Sequence, residues 1–156
     1  YKLPTTGLRF FTVYGPWGRP DMSLFIFVNS ILNKKKIKVF NFGKMKRDFT
    51  YIDDIVSGTL KIINKPPKKI KNQAPYRICN IGNNNPIDLE YFIKTIEKKL
   101  QKKSNKIYMP IQKGDIPISF ASVNKINKIT GYKPTTKIEN GISKFINWYK
   151  SYYKID

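Results

Sequence analysis

Along the chain, short apolar, β-prone runs alternate with amphipathic helical segments. Gly7 to Val13 form an apolar strand that runs into the punctuated loop Tyr14-Gly-Pro-Trp-Gly-Arg-Pro20. Asp21 is placed to cap a helix whose apolar positions Leu24, Phe25, Phe27, Val28, Ile31 and Leu32 recur at helical spacing. A short strand is expected from Ile37 to Phe42, closing at Gly43, and another extended piece from Arg47 to Tyr51. The next helix, about Ile52 to Ile63, carries Asp53 and Asp54 in its first turn, where the positive end of the helix dipole favours them, and stops at Pro66-Pro67.

After a basic connector over 65–75, Tyr76 to Ile81 reads as a strand and Gly82 to Pro86 as a turn. Asp88 then stands at the cap of a helix reaching about Gln101. A short strand over Lys106–Met109, a short helix from Ser122 to Thr130 ending at Gly131, and a terminal amphipathic helix from Lys137 to Tyr153 complete the order. Alternating strands and helices without internal repeats predict an α/β or α+β architecture.

Composition narrows the possible chemistry. With 156 residues, 40% of them hydrophobic, the chain is the size of one domain and can build a core. It has one cysteine and no histidine, so disulfides, Cys/His zinc sites and histidine-based catalysis are excluded within it. Cys79, in Arg77-Ile-Cys-Asn-Ile81, reads as a buried small hydrophobe. No apolar run reaches the roughly 20 residues that span a bilayer, and a cytoplasmic protein is expected. The start at Tyr1-Lys-Leu-Pro, without a methionine, is expected to be cut from something longer.

The net charge of +20 is the usual footprint of a nucleic-acid-binding module. The residue choice argues against that class. Of 30 basic residues only Arg9, Arg19, Arg47 and Arg77 are arginines, whereas phosphate and base recognition draws on the bidentate guanidinium. The lysines fall in connectors or, as with Lys94, Lys98, Lys99, Lys102 and Lys103, on the polar side of a helical pattern, as on a solvated face. The aromatics Phe145, Trp148, Tyr149 and Tyr152 have the spacing of a packing stripe rather than a base-stacking platform.

Gly15 and Gly18 ahead of a helix have neither G-x-G-x-x-G nor Walker spacing, so an ordinary tight turn is expected there, not a phosphate cradle. Asp53 and Asp54, about 100° apart on a helix, do not share a site and are better read as helix-capping residues than as a catalytic pair.

Two segments carry a specific resemblance. Leu8-Arg-Phe-Phe-Thr-Val-Tyr-Gly-Pro-Trp-Gly-Arg-Pro-Asp-Met22 and Gly43-Lys-Met-Lys-Arg-Asp-Phe-Thr-Tyr-Ile-Asp-Asp54 resemble the extended short-chain dehydrogenase/reductase family of NAD-dependent epimerases and dehydratases. Trp17 to Met22 looks like its UDP-glucuronate 4-epimerase branch. Asn80-Ile-Gly-Asn83 and Gln112-Lys-Gly-Asp115 are similar to family positions in order and spacing, so the likeness covers nearly the whole chain. Glutamine at 112, where related hexose epimerases commonly have arginine, resembles the glucuronate branch.

The resemblance implies that residues 1–156 are the C-terminal portion of a Rossmann-type nucleotide-sugar epimerase. That portion is mainly the small mixed α/β substrate-binding domain, with 1–15 belonging to the otherwise missing dinucleotide-binding core. It implies Thr12 and Arg19 at the sugar, where a uronate carboxylate needs a hydroxyl donor and a cation. It also implies Arg47 on the nucleotide diphosphate and Asp115 on the uridine ribose hydroxyls.

The reaction it implies is inversion of C4 of UDP-glucuronate to UDP-galacturonate. A tyrosine takes the 4-hydroxyl proton and NAD takes the C4 hydride, which then returns to the other face of the sugar. Another UDP-sugar epimerase or dehydratase of the same family is the alternative, and the full enzyme is expected to be a homodimer. No Tyr-x-x-x-Lys pair and no dinucleotide glycine motif occur in the 156 residues. No catalytic residue is therefore assigned, the cofactor-binding residues stay unknown, no metal is expected, and the chain alone is expected to be inactive.

Overall fold

The computed structural model describes residues 2–69 and 74–155, and the architecture is mixed α/β. β1 (Thr5–Phe10) pairs in parallel with β6 (Tyr76–Ile81), and β2 (Thr12–Tyr14) pairs in parallel with β5 (Phe49–Tyr51). β3 (Lys36–Val39) lies parallel to β8 (Asn105–Tyr108), and β4 (Lys46–Arg47) pairs antiparallel with β7 (Ile87–Asp88). The helices are α1 (Ser23–Leu32), α2 (Ile52–Ile63), α3 (Leu89–Leu100), α4 (Asn124–Thr130) and α5 (Ile138–Tyr153). Among the described residues no helix is long and apolar enough to cross a membrane.

Several boundaries differ from the expectation. The strand read from Gly7 to Val13 is two strands, because the chain leaves β6 after Phe10 and Thr12 N–H is taken by the Asp48 carbonyl at 3.1 Å, beginning the ladder with β5. The strand expected to reach Phe42 ends at Val39, and Phe40–Gly43 form a 3₁₀ turn in which Asn41 and Phe42 are left-handed. Asp21 does not cap α1: Met22 is its N-cap, and the Asp21 carboxylate is held by Arg19. Asp88 occupies the N-cap of α3 without a side-chain capping bond, its carboxylate lying 3.3 Å from Lys46 Nζ. The short helix starts at Asn124 rather than Ser122. The 65–75 connector includes residues 70–73, which lie outside the described residues.

Two apolar clusters hold the elements together. The larger joins α1, α3 and α5 over β3 and β5, with Val28, Phe92, Ile93, Ile96, Ile142 and Phe145 essentially sealed from solvent. The smaller packs Ile55, Ile62, Cys79, Ile81, Ile126 and Tyr132 between α2, α4 and β6, which places Cys79 in a core as its apolar neighbours suggest. The lysines of α3 and of the residues just after it are all exposed, as a solvated face requires. On α5, Phe145 and Tyr149 are core residues, whereas Trp148 and Tyr152 form an outer aromatic group with the exposed Trp17.

Candidate functional site

A pocket of about 240 Å³ is lined by Thr12, Asp21, Lys38, Phe40, Arg47 and Asp115. Phe27, Met45, Phe49 and Leu89 supply apolar wall. Concave, mainly apolar walls with a few converging polar groups are the usual form of a small-molecule site.

Each polar residue arrives there through identifiable backbone constraints. Thr12 starts β2 and is fixed by pairing with Phe49. Arg47 lies on β4 opposite Ile87. The segment carrying Asp115 is laced along β4: Lys46 N–H donates to the Pro117 carbonyl at 2.8 Å, and Ser119 N–H donates to the Lys46 carbonyl at 3.2 Å. Gly114, at φ +84°, makes the turn that lets Asp115 N–H close onto the Gln112 carbonyl at 3.0 Å.

The consequence is an ion pair. Arg47 Nη2 donates to Asp115 Oδ1 at 2.7 Å, while Arg47 Nη1 donates to the carbonyls of Lys46 at 3.0 Å and Pro117 at 3.3 Å. Asp115 Oδ1 also accepts from Ile116 N–H at 2.8 Å. Both side chains are partly shielded, so this charge-assisted contact is stiffer than a fully exposed pair. Among the described residues, Arg47 Nε–H, the second N–H of Arg47 Nη2 and Asp115 Oδ2 have no hydrogen-bond partner, which leaves two donors and one acceptor atom for a ligand.

Arg19 stands apart from this pair. It lines a smaller hollow of about 20 Å³ beside Thr12, Gly15, Gly18 and Met22, and Thr12 is among the residues common to both depressions. Its Nε donates to Asp21 Oδ1 at 3.0 Å and its Nη2 to Asp21 Oδ2, a two-pronged contact. That bond holds the Asp21 carboxyl below the usual carboxylate range. The four site residues expected from the sequence thus fall into two groups, Thr12 with Arg47 and Asp115, and Thr12 with Arg19.

The Gly15–Gly18 loop is a tight turn, with Gly18 N–H on the Gly15 carbonyl at 3.1 Å. A Cβ on Gly15 would meet Ile52 Cγ2 at 2.6 Å, and one on Gly18 would meet the Gly15 oxygen at 2.9 Å. Close packing and turn closure account for both glycines.

Two groups near the pocket escape a reading of the sequence. Lys38 and Phe40 enter it from the end of β3, where the alternation that buries Ile37 and Val39 sends Lys38 outward; that alternation is visible in the sequence, but its destination is not. The second is Asp48, completely buried beside Arg47. Its carboxylate accepts the N–H groups of Asn83, Asn84 and Ala121 at 2.8, 2.9 and 2.7 Å. A buried carboxylate is tolerated because those donors replace water. The available signal is an acidic residue inside a β-prone run and a Gly-Asn-Asn-Asn turn needing an acceptor, 35 residues apart.

Asp54 also departs from its expected capping role. It sits in the first turn of α2, but no side chain caps that helix; its oxygens instead accept Thr135 N–H at 3.1 Å and Thr136 N–H at 3.0 Å, anchoring the approach to α5. Asp53 is exposed and lies 3.7 Å from Lys144 Nζ, so the two aspartates serve different contacts and share no site.

Known proteins resemble this chain over nearly its whole length. The model of the NAD dependent epimerase/dehydratase family matches residues 1–82. Protein CapI of Staphylococcus aureus is 48% identical over 99% of the chain and 49% of its own length, and a probable UDP-glucuronate 4-epimerase of Rhizobium meliloti is 41% identical over 99% and 49%. Among solved structures, the UDP-glucuronic acid 4-epimerase of Bacillus cereus in complex with UDP-glucuronic acid and NAD superposes with a TM-score of 0.84 at 30% identity, over 97% of this chain and 46% of that one. The chain therefore spans about half the length of the relatives it matches. With the family model covering more than half of its residues, the chain belongs to the NAD dependent epimerase/dehydratase family.

Proposed function

We propose that this chain is the UDP-sugar-holding part of an NAD-dependent 4-epimerase that interconverts UDP-glucuronate and UDP-galacturonate. The reading rests chiefly on the Arg47–Asp115 pair at the pocket wall with Thr12, in a chain similar to the UDP-glucuronic acid 4-epimerase of Bacillus cereus. In it, Arg47 offers its remaining donor capacity to the diphosphate, and the free oxygen of Asp115 accepts a ribose hydroxyl. Thr12 and Arg19 address the sugar, the hydroxyl and the guanidinium meeting its carboxylate.

NAD, the tyrosine that moves the 4-hydroxyl proton and the lysine that tunes it are assigned to sequence outside these 156 residues. Residues 1–15, which include β1 and β2, are assigned to that nucleotide-binding core. Alone, the chain binds substrate and does not turn it over. The full enzyme works as a homodimer.

Calorimetric titration of the chain with UDP-glucuronate, UDP-glucose and UDP tests the reading. Expected are binding of all three, a preference for the uronate, and loss of that preference in Arg19→Ala. Absence of UDP binding, or a preference that survives Arg19→Ala, overturns it. Epimerisation by the chain alone would overturn the division of labour.

A further inference from the structure

Arg19 already holds a carboxylate. The Asp21 side chain lies on its fork through two parallel contacts, Nε to Oδ1 and Nη2 to Oδ2, which is the geometry in which arginine takes a free carboxylate. The turn between them is closed by Met22 N–H on the Arg19 carbonyl at 3.2 Å, with Pro20 in the middle. Helix α1 does not use Asp21 as a cap, so Arg19 is the only side chain that this carboxylate engages among the described residues.

Asp21 also faces the pocket that Thr12, Arg47 and Asp115 line, while Arg19 faces the adjoining hollow. With 76% and 61% of their side chains exposed, the partners can separate without opening the core.

We propose that Asp21 is an internal competitor for the substrate carboxylate and so a specificity-determining residue of the sugar site, an inference that rests on the assignment of Arg19 to that site. When a uronate arrives, its carboxylate replaces Asp21 on the guanidinium, and Asp21 is left as an unpaired anion beside the bound sugar acid. A neutral hexose leaves the Arg19–Asp21 pair intact. Asp21 therefore weakens uronate binding selectively and narrows the margin between acidic and neutral sugars.

The test measures dissociation constants of UDP-glucuronate, UDP-glucose and UDP for the intact chain and its Asp21→Asn and Asp21→Ala variants, with far-UV circular dichroism to establish that each folds. Exchange of one exposed ion pair for another is worth about a two- to fivefold change in affinity. Expected is a gain of that factor in UDP-glucuronate affinity relative to UDP-glucose and UDP in both variants, and loss of the gain when Arg19→Ala is added. No gain of uronate affinity relative to UDP-glucose and UDP in the variants, while the parent prefers uronate and Arg19→Ala abolishes the preference, overturns the inference and leaves the site reading standing. A parent chain without uronate preference removes both.

Discussion

Arg47 and Asp48 show how two residues adjacent in sequence divide binding and structural tasks. Arg47 reaches the pocket wall and meets Asp115, whereas Asp48 is sealed beside it and holds three backbone N–H groups from two separate segments. Replacing Asp48 by Ala leaves those donors buried without an acceptor, at about 1–3 kcal/mol for such a loss and more where several are stranded together. A marked fall in melting temperature is expected for Asp48→Ala, and an unchanged one would show that the carboxylate is dispensable. Arg47→Ala should instead fold and weaken UDP binding by about tenfold, the worth of one charge-assisted bond to phosphate. Calorimetry reads both, and equal effects of the two variants on stability would contradict the division.

Between elements, α5 closes over β2 through one glycine. Gly141 lies so near Tyr14 that a Cβ would meet its hydroxyl oxygen and come within 2.6 Å of Cζ. Alanine normally favours a helix over glycine by about 1 kcal/mol, but overpacking a core costs about 1–3 kcal/mol. Since the Tyr14 ring is itself wedged against Phe49 and Tyr51, the steric loss should win. Gly141→Ala is expected to lower the stability measured by urea unfolding, and Gly141→Ala combined with Tyr14→Phe to recover part of it. A stabilised single variant would mean that α5 can shift without loss. The same helix is approached through Thr135 and Thr136, whose N–H groups end on Asp54 of α2, so a residue that the sequence presents as a helix-start acid serves to join two helices.

For the molecule taken whole, two buried phenols set an alkaline limit. Burial pushes the Tyr14 hydroxyl far above its ordinary value near 10, with Tyr51, Asp54 and Glu139 adding repulsion. Burial raises Tyr132 likewise, helped by Asp54 and Asp48, and its hydroxyl donates to the Gly82 carbonyl at 2.9 Å. A pKa raised by folding means that the native chain holds its proton more tightly than the unfolded chain. That stability is whole below about pH 10 and is lost as pH rises beyond it toward the folded values. Melting temperature should therefore stay level up to about pH 10 on account of these groups and fall above, with a shallower fall in Tyr14→Phe; equal alkaline slopes would exclude Tyr14 as a cause.

The charge of +20 also acts over the whole surface. If it reflects solvated lysines, the chain should show no DNA or RNA binding at about 50 mM salt, and a steep salt-dependent affinity would revive the nucleic-acid reading.

The order and type of the main elements are legible in the sequence alone, because periodicity and Gly or Pro punctuation are local signals that packing here reinforces. So are the burial of Cys79 and, through the Arg-Asp-Phe and Trp-Gly-Arg-Pro-Asp-Met segments, the family. The partners of the charged groups are not. Asp21, Asp54 and Asp88 all look like helix caps in a one-dimensional reading, yet their carboxylates go to Arg19, to Thr135 and Thr136, and to Lys46. The contact of Arg47 with Asp115, 68 positions away, likewise depends on the lacing of the 115–119 segment along β4. The physical reason is range: backbone propensity acts within a few residues, whereas a charged side chain takes the best partner that the fold brings within about 3 Å, wherever that partner stands in the chain.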